Sequence, residues 1–119
     1  MKIYVSHSRS FDFQNELYEP IRESILNDKH DFFLPHEGGR SINNEEDIKT
    51  SDLILAEVSF PSTGQGIELG WAHKLGIPIL CISKKGSHIS NSLKSVTSDF
   101  IEYSDTKDLI AQVGVQLVR

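Results

Sequence analysis

The sequence predicts a three-layer α/β domain built on a parallel sheet. Two observations carry this expectation. Short β-prone apolar runs alternate with helical patterns along the chain, and the runs near its middle are almost continuously apolar, as strands covered on both faces are. Right-handed crossovers then put helices on both sides of the sheet. At 119 residues the chain has room for one core but not for two ordinary domains, so residues 1–119 read as a single domain.

The elements follow in order. Lys2 to Ser6, with Ile3 and Val5, reads as a first strand, followed by the polar loop His7-Ser8-Arg9-Ser10. From Asp12, the residues Phe13, Leu17, Ile21 and Ile25 recur every fourth position and predict one buried helix face. Pro20 lies inside that pattern and predicts a kink or a late start, because it lacks a backbone donor. Asp31 to Pro35, with Phe32, Phe33 and Leu34, predicts a second strand ahead of Gly38-Gly39. Ser41 to Ser51 predicts a short polar helix with Glu45 and Glu46 near its start. Leu53 to Val58 is the third and most apolar strand, ended by Pro61. A helix from Gly64 to about Leu75 stops at Gly76 and Pro78. Ile79 to Ile82 is the fourth strand, and a short helix around Leu93 precedes a fifth through Phe100, Ile101 and Tyr103. A last helix presents Leu109, Ile110, Val113 and Leu117 on one face.

Composition excludes several classes. With 38% hydrophobic and 24% charged residues, 8 Gly and 4 Pro, the chain is neither disordered nor fibrous. A formal net charge of -5 argues against a broad grip on a nucleic acid polymer, so an anionic ligand needs a local pocket. No run reads as a membrane span or signal peptide, and the single cysteine, Cys81, reads as an inert core residue. The expectation is a reduced, cytoplasmic setting with no membrane partner. The five histidines lack metal-ligand spacing, so neither a metal nor a cofactor is expected.

Ligands of an open parallel sheet bind beyond the carboxyl ends of its strands. That rule selects three loops: His7 to Ser10, Pro35-His36-Glu37-Gly38, and Ser59 to Glu68. Ser8, Ser10 and Ser62 offer hydroxyls, Arg9 a charged fork, and helix-start amides point outward, a set suited to a phosphate. In the third loop, Gly64 and Gly66 allow close backbone approach and Glu68 adds a carboxylate expected in the first helical turn. There the plain reading of Glu68 is an acid favoured by the helix dipole, and of Ser8, Arg9 and Ser10 a solvated loop. The glycine spacing fits neither a dinucleotide fingerprint nor a phosphate loop.

The opening Ile3-Tyr4-Val5, the run Ser51 to Val58, and Pro61-Ser62-x-Gly64-x-Gly66-x-Glu68-Leu69-Gly70-x-Ala72 together resemble the nucleoside 2-deoxyribosyltransferase superfamily, more closely its 2'-deoxynucleoside 5'-phosphate N-hydrolase branch. The likeness runs from Tyr4 to about Leu93 and is most specific from Asp52 to Ala72. It implies a Rossmann-like, flavodoxin-type domain with a five-stranded parallel sheet and cleavage of the base from a nucleoside or deoxynucleoside 5'-monophosphate. The alternatives it leaves open are base exchange and a nucleotide-binding sensor without turnover. It implies that Glu68 is the nucleophile, that Tyr4 orders the site, and that Ser8, Arg9 and Ser62 contact the 5'-phosphate. Ser90, or Asn91 or Ser92 beside it, would reach a partner subunit's site in a homodimer with shared active sites. The family's aspartate eight residues before Asp52 is Asn44 here, and an amide cannot donate a proton as a carboxylic acid does. Asp47, His36 and His7 are the candidate replacements, with Asn44 and His36 kept as binding residues.

Overall fold

The computed structural model describes residues 1–39 and 44–118. Five strands, β1 (Lys2–His7), β2 (Asp31–Phe33), β3 (Leu53–Glu57), β4 (Ile79–Lys84) and β5 (Phe100–Tyr103), form one sheet in the order β2-β1-β3-β4-β5. Every pairing is parallel, with Tyr4 opposite Phe33 and Ile54, and His7 opposite Glu57. This is the expected flavodoxin-type order, and the chain reverses direction across the sheet between β1 and β3. A crevice opens beyond the carboxyl ends of those two strands.

Alternation along the strands divides the core into two layers. Ile3, Val5, Leu55, Ile82 and Tyr103 pack with Leu17, Ile21, Leu109 and Val113 on one face. Tyr4, Ile54, Ala56 and Cys81 pack with Ile48, Leu69 and Ala72 on the other. The second face is covered by α3 (Asn44–Lys49) and α4 (Thr63–Lys74). The first is covered by α1 (Glu19–Arg22), α2 (Leu26–Lys29) and α5 (Thr106–Leu117).

The expected helix after Asp12 is broken into pieces. A wide π turn over Gln14–Tyr18 leads into α1, where Pro20, lacking an N–H, sits in the first turn. Leu17 and Ile21 are buried as expected, but Ile25 is 64% exposed and Leu26 is buried instead. The cause is the break after Arg22: Ser24 N–H bonds the Ile21 carbonyl, which ends the regular 100° stepping and rephases the face by one residue. The second strand stops at Phe33, short of the expected Pro35. The expected helix at Ser41 to Ser51 is seen as Asn44–Lys49, its first positions lying outside the described residues. Around Leu93 the expected short helix is a 3-10 segment, Asn91–Ser95.

Beneath the crevice, Glu57 is 1% exposed at the end of β3. A buried carboxylate needs donors, and it has three. Ser59 supplies its N–H at 2.6 Å and its hydroxyl at 2.9 Å, and Tyr103 of β5 donates its hydroxyl. Lys84 N–H donates to the Ser59 hydroxyl oxygen at 2.7 Å, so the ends of β3, β4 and β5 are tied together. Gln65 extends the tie to α4 by donating to the Glu57 carbonyl at 2.8 Å. Tyr103→Phe should therefore cost about 2 kcal/mol in urea unfolding, the penalty for withdrawing one donor from a buried charge.

Candidate active site

The crevice between β1 and β3 is built by strand alternation and one helix. Tyr4 and Ser6, two positions apart on β1, point to the same face of the sheet, toward α4. Ser62 caps α4 by accepting the Gln65 N–H at 3.4 Å, so the helix starts at Thr63 and Glu68 lies in its second turn. That corrects the first-turn expectation: dipole stabilisation fades beyond the first turn and does not account for this carboxylate.

Glu68 is held by three uncharged donors. Tyr4 donates its hydroxyl to Oε2 at 2.6 Å, Asn44 donates Nδ2 to the same oxygen at 2.9 Å, and Ser6 donates its hydroxyl to Oε1 at 2.9 Å. A carboxylate only accepts, so the Asn44 amide must turn its NH₂ toward Glu68. Its Oδ1 is then buried with no hydrogen-bond partner among the described residues. Burial pushes the Glu68 carboxyl above the usual carboxylate range, against the opposing pull of the Tyr4 and Ser6 hydrogen bonds. Burial, together with the Glu68 charge, pushes the Tyr4 hydroxyl strongly upward and keeps it a donor.

Glu68 opens into a cleft of about 200 Å³ shared with His7, Arg9, His36, Asn44, Ser62, Gly64 and Gln65. The structure thus brings together Glu68, Arg9, His36, Asn44, Ser62 and Gly64, with Tyr4 in contact through Glu68. A neighbouring groove of about 340 Å³ shares Ser62 and Gln65 and adds Gly66, Ser90 and Leu93. It is larger, but none of its described lining residues is titratable. Ser8 and Ser10 join neither space: their hydroxyls bond each other at 2.6 Å, Ser8 buried and Ser10 exposed. Asn91 is exposed and lines neither. Asp47 contributes a charge felt by Tyr4 but does not line the cleft; Asn44, one turn earlier on α3, holds the contact with Glu68.

His7 cannot act as the proton donor considered from sequence. Its Nδ1–H donates to the Ser8 carbonyl at 2.7 Å, which leaves Nε2 to accept the Tyr18 hydroxyl at 2.7 Å. The Tyr18 oxygen in turn accepts the His36 N–H at 3.0 Å. Burial lowers His7 from its ordinary 6.5 to about 4, so it is neutral and fully engaged. His36 is lowered by burial and then by the charge of Arg9. The loop carrying His36 is anchored by Arg22, whose guanidinium reaches Glu37 at 2.8 and 2.9 Å and the Phe32 carbonyl at 3.0 Å. Ser6 and Tyr18 escaped the sequence reading. Ser6 shares the parity of Tyr4, the one signal that marked it, whereas Tyr18 lies outside the Phe13-Leu17-Ile21-Ile25 spacing and carried no signal.

No family model matches the chain. The chain is similar to the putative 2'-deoxynucleoside 5'-phosphate N-hydrolase 1 of Methanococcoides burtonii, 29% identical over 108 residues, spanning 78% of this chain and 88% of that protein. It also resembles the 5-hydroxymethyl-dUMP N-hydrolase of Rattus norvegicus, 43% identical over 53 residues, which cover 42% of this chain and 32% of that protein. Among solved structures, the CMP N-glycosidase of Clostridium botulinum superposes with a TM-score of 0.70 at 18% identity, over 96% of this chain and 99% of that one. The 2-deoxyribosyltransferase of Bacillus psychrosaccharolyticus gives 0.64 at 24% identity, over 92% and 90%. The resemblance to this superfamily, first read from the segment Asp52 to Ala72, stands with these relatives, and the solved structures carry the fold.

The state of His7 sets a pH dependence of stability. Its folded-state value lies below the unfolded one, so between pH 6.5 and about 4 the unfolded chain takes up a proton that the folded chain refuses. Stability should fall by about 3 kcal/mol as the pH drops through that window. Urea unfolding at pH 7 and 4.5 measures it, and His7→Gln should flatten the slope.

Proposed function

We propose that this chain is an N-glycosidase that releases the base from a nucleoside or deoxynucleoside 5'-monophosphate through a glycosyl ester on Glu68. One observation carries the reading: a carboxylate oriented by three uncharged donors at the bottom of a cleft that also holds Arg9. The relatives, named as nucleotide N-hydrolases and deoxyribosyltransferases, support the same class of chemistry.

Breaking an N-glycosidic bond spreads positive charge over the sugar, and an anion below C1' stabilises it and then bonds to it. The C1'–N electron pair leaves with the base, which takes a proton from solvent. Water then attacks C1', the ester electrons return to Glu68, and a proton returns to solvent. Among the described residues, neutral donors hold Glu68, so no cation in hydrogen-bond contact blunts its charge. Arg9, Ser62 and the amide of Gly64 at the start of α4 suit the 5'-phosphate. Remote binding energy of this kind positions the sugar. The adjoining groove gives the ligand room to extend, and Ser90 on its rim would serve a homodimer with shared sites.

Asn44 favours a second reading, a module that binds the nucleotide without turnover, since its amide has no proton to give a leaving base. Chromatography of a monophosphate panel after incubation separates the two, by released base or by intact nucleotide. Base exchange would need an added acceptor base.

Under the enzymatic reading, Glu68→Gln and Glu68→Ala should lower base release by at least about 10³-fold. Only the anion attacks and burial raises the Glu68 carboxyl, so kcat/KM should climb with pH along a limb above the ordinary carboxylate range. Arg9→Ala should lower kcat/KM about tenfold or more for monophosphates and leave the unphosphorylated nucleosides unaffected, read by initial rates on matched pairs.

A further inference from the structure

We propose that Ser6 is a positioning residue for Glu68, holding Oε1 as the oxygen that attacks the sugar. This rests on the N-glycosidase reading above. A carboxylate offers about four lone-pair sites, two on each oxygen. Oε2 spends both, on Tyr4 at 2.6 Å and Asn44 at 2.9 Å, whereas Oε1 accepts a single bond, from Ser6 at 2.9 Å. One site on Oε1 is left over.

The last torsion of a glutamate side chain is broad, so donors on one oxygen alone leave its plane poorly defined. A donor on the second oxygen removes that freedom. Ser6 suits this task because it is 1% exposed near the carboxyl end of β1, its backbone paired in register opposite Ala56 of β3, so it cannot follow a moving carboxylate. In the first step a lone pair of Oε1 forms the bond to C1' while the C1'–N pair departs with the base, which is protonated by solvent. Ser6 keeps its hydrogen throughout. In the second step, water displaces Oε1 from C1', and the Ser6 hydroxyl meets the negative charge as it returns. Its hydrogen bond also favours ionised Glu68, opposing burial.

Among the described residues, the titratable and charged groups around Glu68 are Tyr4 and His7 of β1, Arg9 of the following loop, His36 after β2 and, through Tyr4, Asp47 of α3. Ser6→Ala alters none of them. Two readouts on the full chain test the role: the Glu68 carboxyl titration by carbon-13 NMR, assigned with Glu68→Gln, and steady-state kinetics on a responsive monophosphate. Ser6→Ala should move the titration and the acid limb upward by about one pH unit. It should lower kcat about tenfold with KM within about twofold. Ser6→Thr, which keeps the hydroxyl, should restore both. Unchanged titration and kcat in Ser6→Ala overturns the inference, as does Ser6→Thr behaving like Ser6→Ala while both melt like the parent. If the parent protein releases no base, the enzymatic reading fails and the attacking role with it. Base release by a parent that is indifferent to Ser6→Ala sinks this inference alone.

Discussion

A carboxylate taken out of water must be given donors, and this fold meets that demand twice, at the end of β3 and in the second turn of α4. Glu57 is closed over by Ser59 and Tyr103 and becomes a knot that binds three strand ends. Glu68 is met by Tyr4, Ser6 and Asn44 but stays open to a cleft. The two are coupled by Gln65, whose side chain grips the Glu57 carbonyl while its backbone lies in the turn that precedes Glu68. The buried acid thus secures the seat of the half-buried one. Rigid support of this kind is what a reacting group requires, since small misplacements are costly in rate.

The walls of the cleft are set by a second network. His7, Tyr18 and the His36 backbone form a chain of hydrogen bonds in which each donor has one acceptor, and this tethers the loops after β1 and β2. Phe11 and Phe60 stack at 5.1 Å between the loops after β1 and β3, and the Lys84 ammonium lies 5.3 Å from both rings. Such contacts contribute about 0.5–1 kcal/mol each where water has access. Their effect is to hold the loops in place before a ligand arrives.

Asn44 gives the cleft its electrostatic character. With an amide at that position Glu68 has, among the described residues, no neighbouring acid in hydrogen-bond contact, and the donors it meets there are all neutral. Two adjacent carboxylates would raise each other's affinity for a proton and split their roles. A lone carboxylate avoids that coupling, so its ionisation depends on burial and on the donors that face it. The same amide leaves its Oδ1 without a partner among the described residues, a local cost that an apolar residue would not incur.

Period-two and near-continuous apolar runs placed all five strands, because a parallel strand covered on both faces has little freedom in composition. The motif Pro61 to Ala72 led to Glu68, and the glycine and proline after Leu75 marked the end of α4. Local pattern failed where the chain left regular geometry: the π turn and the break after Arg22 exchanged Ile25 for Leu26, a rephasing that backbone hydrogen bonds decide. It also misplaced Glu68 by a turn, since the cap at Ser62 sets the start of the helix. Which donors meet Glu68 was beyond the sequence, because Ser6 and Asn44 lie 62 and 24 residues from it along the chain. Only the register of β1 beside β3, and the packing of α3 and α4 over that face, bring a serine, a tyrosine and an asparagine around one carboxylate.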